Sequence, residues 1–87
     1  MAELELLTFP TDYPIKVVGH HEATLRARVD AIMLQHAPDL DLGCSHERAS
    51  GQGNFLAISY VFVARSQEQV VALATELAAT DGVVMVI

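Results

Sequence analysis

One cysteine, no tryptophan and five cationic side chains set the first limits on this 87-residue chain. A lone Cys44 cannot close an intrachain disulfide, so the fold must rest on a hydrophobic core. No Cys-x-x-Cys pair and no His-x-x-x-His spacing supplies a metal framework. The cations Lys16, Arg26, Arg28, Arg48 and Arg65 are scattered, and eleven carboxylates bring the net charge to −6. Nucleic acid needs several clustered cations to displace phosphate counterions, so it is not an expected partner. An anionic membrane surface is disfavoured for the same reason. Long apolar runs are also missing. The longest, near Phe55–Ala64, is interrupted by Ser59 and Tyr60 and falls short of the roughly 20 residues a spanning helix needs. The opening Met1-Ala2-Glu3-Leu4-Glu5 is acidic and lacks the cationic start of an export signal. Together with the lone thiol, this leads us to expect a cytoplasmic protein.

What is present is apolar residues, 52% of the chain. Such a length and composition fit one α+β core. Residues 1–12 read as an irregular N-terminal arm: Pro10 and Pro14 limit helix, Thr11-Asp12 suits a turn, and Leu6, Leu7 and Phe9 can pack on the body. Residues 13–20 read as a strand rich in β-branched residues, with Pro14 at its start. Residues 21–37 read as a helix whose stripe is Leu25, Val29, Ile32, Met33 and His36, with Arg26 and Asp30 four apart on its wet side. Pro38 stops it. Residues 41–49 make a weaker edge strand, and Ser50-Gly51-Gln52-Gly53-Asn54 forms a hairpin turn. Residues 54–64 form the strongest strand, with Leu56, Ile58, Tyr60 and Phe62 on one face and Phe55, Ala57, Val61 and Val63 on the other. Ser66 caps a second helix over 66–80, with Gln69 completing a capping box and Val70, Leu73, Ala74 and Leu77 forming the buried stripe. Asp81-Gly82 ends it, and 83–87 are a wholly apolar last strand.

The order β-α-β-β-α-β predicts a ferredoxin-like domain over 13–87. Its four-stranded antiparallel sheet would run in order 4-1-3-2, with both helices on one face. Two consequences follow. The second sheet face is apolar yet has no helix to cover it, so the arm, a protein partner, another copy or a ligand must do so. The topology also gathers three connections at one end of the sheet: Gly19-His20-His21, Ser50–Asn54 and Thr80–Gly82. A ligand site, if there is one, is expected there, with Gly19, His20, His21, Ser50, Gly53 and Asn54 as its residues.

Four separated segments resemble one family in order: Leu7-Thr8-Phe9-Pro10 followed by Tyr13-Pro14-Ile15-Lys16-Val17-Val18-Gly19, then Gln35-His36-Ala37-Pro38, Ser50-Gly51-Gln52-Gly53-Asn54-Phe55 and Val84-Met85-Val86. The family is that of the YbeD-like proteins, and the resemblance covers nearly the whole chain. It implies a small bacterial cytoplasmic protein with a fold similar to the amino-acid-sensing ACT regulatory domain. It also implies a gene neighbourhood shared with lipoate attachment. It brings no catalytic residues. At Arg48-Ala49-Ser50-Gly51-Gln52-Gly53 this sequence is less basic than the family pattern.

Other chemistry finds little support. Zinc at His20, His21, Cys44 and His46 would need about four ligands in tetrahedral reach, and adjacent histidines on extended chain point apart. Cys44 as a nucleophile would need a depressed pKa and an orienting base, and only His46 is near in sequence. Gly53 and its neighbours lack the lysine and the following helix of a phosphate loop. Gly19 fits either a tight turn or a lip against which a small ligand packs. The expectation is therefore a non-enzymatic, ACT-like regulatory or adaptor domain without cofactor. It would act through protein association, by sheet face or edge strand, with another protein or as a homo-oligomer. The alternative is a sensor of an amino-acid-type small molecule.

Overall fold

A computed structural model describes residues 8–87. The elements are β1 (Thr11–His20), α1 (Leu25–His36), one 3-10 turn (Leu42–Cys44), β2 (His46–Ser50), β3 (Phe55–Ala64), α2 (Gln67–Ala78) and β4 (Val83–Val86). The sheet is antiparallel with order β2-β3-β1-β4, the expected 4-1-3-2 read from the other edge. This is the ferredoxin-like βαββαβ arrangement.

Alternation in the strands builds the core. Ile15 and Val17 of β1 and Leu56, Ile58, Tyr60, Phe62 and Ala64 of β3 point to one face and are buried there. Leu25, Val29 and Met33 of α1 and Val70, Leu73 and Leu77 of α2 meet them, and all belong to one cluster. Complete burial of side chains this size contributes roughly 1.5–3 kcal/mol each. No charged side chain enters the core among the described residues.

Several boundaries differ from the sequence reading, each for a local reason. The arm 1–12 does not reach Asp12, because Thr11 and Asp12 already pair with Ala64 and Val63. Phe9 packs against the core, while Leu6, Leu7 and the rest of 1–7 lie outside the described residues. Pro14 sits inside the strand opposite Val61, not at its start. Lys16 exchanges both backbone hydrogen bonds with Ile87, so its N–H points toward β4. The nitrogen of Pro14, two residues earlier, points the same way but beyond the end of β4. Its missing N–H therefore breaks no ladder bond.

The first helix starts at Leu25, not 21, because the preceding backbone is committed elsewhere. His21 donates its N–H to Asn54 (3.0 Å) and Glu22 donates to His20 (2.8 Å). The expected strand 41–49 is split. Asp41 accepts a hydrogen bond from the Gly43 N–H and starts the 3-10 turn, so pairing begins only at His46. The second helix keeps its Ser66 cap, whose hydroxyl accepts from the Gln69 N–H at 3.1 Å. The return bond of the capping box is shifted by one residue, with the Gln69 side-chain oxygen accepting from Arg65 N–H at 2.6 Å.

Candidate functional site

The three connections do converge at one end of the sheet. At Gly19 an added Cβ would lie 2.6 Å from the Gly82 carbonyl oxygen and 2.9 Å from Leu25. Glycine is needed here for close approach of two backbones. His20 donates its N–H to Gly82 at 2.8 Å, and its ring lies beside that of Phe55, centroids 5.6 Å apart. The Nδ1 of His21 is 2.9 Å from the Gly53 carbonyl oxygen. A carbonyl only accepts, so Nδ1 carries the proton there. The hairpin closes on itself through Gly53 N–H to Ser50 carbonyl (3.1 Å), with Gly51, Gln52 and Gly53 all at positive φ. Gly19, His20, His21, Ser50, Gly53 and Asn54 are thus brought together, and their backbone groups tie the loops to each other. The cavity beside them, about 300 Å³, is lined by His21, Glu22, Ala23, Arg26, Glu47 and Leu56. Of the six expected residues, it takes in only His21.

Cys44 lies in the 3-10 turn and does not share a strand face with His46. Its exposed thiol donates to Asp41 Oδ2 at 3.3 Å. That hydrogen bond, and then the charge of Asp41, push the thiol's pKa up, the reverse of what a nucleophile needs. No group of three or more histidine, cysteine or carboxylate side chains is placed to hold a metal among the described residues.

Arg26 and Asp30 do not lie on a wet face. The Nε of Arg26 donates to both oxygens of Asp30 (2.9 and 3.0 Å), and its Nη1 donates to Glu47 of β2 at 2.6 Å. Its Nη2 donates to Ser45, and the guanidinium lies 5.8 Å from the Tyr60 ring centroid. The buried Tyr60 hydroxyl donates to Asp30 at 2.5 Å. Burial, reinforced by Asp30, pushes the Tyr60 pKa far above the ordinary tyrosine value. Burial works against the charge on Arg26, but Asp30 and Glu47 outweigh it and its pKa rises. This network clamps α1 to β2 and β3. At the other end of α1, His36 Nε2 meets Glu76 of α2 at 2.7 Å, and the His36 carbonyl accepts from Gln69 at 2.8 Å.

The sheet face away from the helices is open among the described residues. Register places five rows across it. Ser50, Phe55 and His20 form one. Arg48, Ala57, Val18 and Met85 form the next. His46, Ser59, Lys16 and Ile87 form the third, Val61 with Pro14 the fourth, and Val63 with Asp12 the fifth. Val61 is 58% exposed, Met85 50% and Ile87 67%. A shallow cavity of about 350 Å³ lies on this face, with Pro14, Lys16, Cys44, His46, Ser59 and Ile87 among its lining. No helix among the described residues is long and apolar enough to cross a membrane.

Comparison with known proteins places this architecture. Residues 4–87 match a family model described as "Protein of unknown function (DUF493)". A UPF0250 protein of Shewanella loihica is 40% identical over 79 residues, covering 91% of this chain and 88% of that protein. A UPF0250 protein of Ectopseudomonas mendocina is 39% identical over 82 residues, covering 93% and 89%. Among solved structures, the ACT domain from GTP pyrophosphokinase of Chlorobium tepidum is similar, with a TM-score of 0.67, 14% identity and coverage of 87% of this chain and 84% of that one. The C-terminal domain of the MgtC protein from Mycobacterium tuberculosis has the same TM-score at 19% identity, covering 94% and 89%. Identities this low establish a shared ACT-like fold and nothing further. The family match over nearly the full length, with close relatives of almost equal size, shows that the chain belongs to the DUF493 (UPF0250) family of bacterial proteins.

Proposed function

We propose that this protein is a small non-enzymatic regulatory or adaptor domain that works by associating with another protein through its open sheet face. One observation carries the reading. A contiguous surface with Val61, Met85 and Ile87 at its exposed points lies on the side of the sheet that neither helix covers. Apolar surface left in water on one side of a sheet marks an interaction site. The fold supports it, since both structural neighbours are domains of named larger proteins, one of them an ACT domain of a GTP pyrophosphokinase.

The test is site-specific photo-crosslinking in the cell of origin, with the probe at Val61 on the open face and at Thr75 on the exposed side of α2. Protein adducts from Val61 alone support the reading. Adducts from both positions alike, or from neither, reject it.

The competing reading is a sensor of an amino-acid-type ligand at Gly19, His20, His21, Ser50, Gly53 and Asn54. What favours it is the gathering of these residues at one end of the sheet. It predicts a thermal shift with one compound of an amino-acid panel, removed by His20→Ala. A ligand at about 100 times its Kd adds roughly 2.7 kcal/mol. Gly19→Val is unsuitable as the probe, because its side chain would strike Gly82.

A further inference from the structure

We infer that the open face recognises an acidic protein segment that presents carboxylates and apolar side chains on the same side. This rests on the association reading and names the partner's chemistry. The argument is the segregation of charge. The protein carries a net charge of −6, so a featureless distribution would leave every surface acidic. Three of its five cations are committed to carboxylates: Arg26 to Asp30 and Glu47, Arg28 to Glu22, and Arg65 to Asp39. The other two, Lys16 and Arg48, form no ion pair among the described residues, and both are exposed on the open face.

The imidazoles of His46 and His20 stand on the same face, in the rows of Lys16 and Phe55. Of the described carboxylate side chains, Asp12 falls on it, opposite Val63 at the far end, and Asp41 borders it through its contact with Cys44. Glu47, next to Arg48 in sequence, alternates to the helix side and is held there by Arg26.

The shape matches the charge. Ala57 and Ser59 of the central strand β3 are small. Arg48 and His46 stand on one side of them, and Val18 and Lys16 on the other. This makes a shallow trough with one cation on each side, Arg48 and Lys16, and with Val61, Met85 and Ile87 offering apolar contact around it. An extended segment whose every second residue is in turn a carboxylate and an apolar group can set carboxylates against Lys16 and Arg48 and apolar groups on the exposed valine, methionine and isoleucine, because alternate side chains share one side. A second copy of this chain is a less favoured occupant, because its open face would bring two more unpaired cations, Lys16 and Arg48, to the contact.

The experiment is fluorescence anisotropy with two labelled peptides, one with glutamate and leucine in turn at every second position and serine between them, and one with glutamine in place of glutamate. The acidic peptide is expected to bind about ten-fold more tightly, and to lose that advantage in the K16E/R48E variant. Binding should weaken with added salt. Both positions are exposed, and thermal unfolding checks that the variant is folded. K16Q/R48Q is the milder substitute if it is not.

Equal binding of both peptides overturns the inference, as does no binding of either or indifference to the K16E/R48E change. Equal binding of single-stranded DNA also overturns it, since that would make the face a general anion site. A stable dimer abolished by Val61→Lys puts a second copy on the face and overturns it as well. The association reading is judged separately by the Val61 crosslink: with adducts there and no preference for the acidic peptide, the acidic chemistry alone fails.

Discussion

Neighbouring residues of β3 live under opposite conditions. Ile58, Tyr60 and Phe62 are at most 2% exposed beneath the helices, while Val61 between them is 58% exposed on the other face. Within β3 residue type does not separate the two sets, because both of its faces are largely apolar. The core beneath the helices buries no charged side chain among the described residues, and it fixes the fold. The open face keeps small residues along its middle strand and cations beside them. The lesson is that apolar composition marks stability on one side of this sheet and availability on the other, and only cover distinguishes them.

That contrast predicts the largest effect on the covered side. Leu73 of α2 is fully buried, so Leu73→Ala should cost about 2–5 kcal/mol through lost contact and a residual cavity. A domain of this size is expected to have only about 4–13 kcal/mol in total. Circular dichroism melts should therefore fall by roughly 10–30 °C.

Gly19→Ala should come next, at about 1–3 kcal/mol. The added methyl would sit 2.6 Å from a backbone oxygen, which cannot swing aside as a side chain can. If Gly19→Ala melts like the original protein, the β1 to β4 approach is looser than described. The candidate loop cluster then loses its organising contact.

Tyr60→Phe sharpens the contrast from within the core, because it alters chemistry without removing much volume. The lost hydroxyl no longer donates to Asp30, and the change should cost about 1 kcal/mol at neutral pH. Its signature is pH-dependent. The folded-state pKa of Tyr60 is raised by burial, then by Asp30. A raised folded pKa means stability that is fully present below the unfolded value, near 10 for tyrosine, and lost as pH rises beyond it. Denaturant unfolding should therefore show the original protein losing stability above about pH 10, and Tyr60→Phe losing less over the same range. Parallel declines would contradict the assignment of the buried hydroxyl.

The sequence carried the architecture because the alternation in 55–64 and the helical stripes at Val29, Met33, Leu73 and Leu77 are strong local patterns. It also placed the loop convergence, which follows from topology alone. It misread what depends on contacts between distant segments. Helix α1 starts late because His21 is bound to the hairpin 32 residues away. Arg26 and Asp30 look like an exposed i, i+4 pair until β2 brings Glu47 and Ser45 to them. The cationic face was hidden for the same reason. Lys16 and Arg48 are far apart in sequence and share a surface only because Ser59 pairs with both Lys16 and His46, the latter two residues before Arg48. A parity argument on β1 and β2 could have found them once the strand register was known.

The smallest expected change in stability is at Val61, and there the two faces separate most clearly. Val61→Ser removes apolar surface that water already reaches, so the melt should move by less than about 0.5 kcal/mol. In the same protein, capture of partner through a crosslinker at the adjacent Ser59 should drop several-fold, because the exposed valine is one of the contacts an occupant would bury. A loss of stability comparable to that of Leu73→Ala would mean that Val61 is already covered in the folded protein. The open face would then belong to the core, and the division of labour between the two sides of the sheet would disappear. Unchanged stability with unchanged capture would move the contact away from β3, toward the exposed side chains of Met85 and Ile87 at the β4 edge. That edge is the next surface to substitute, since β4 carries no charged residue to discourage pairing with another strand.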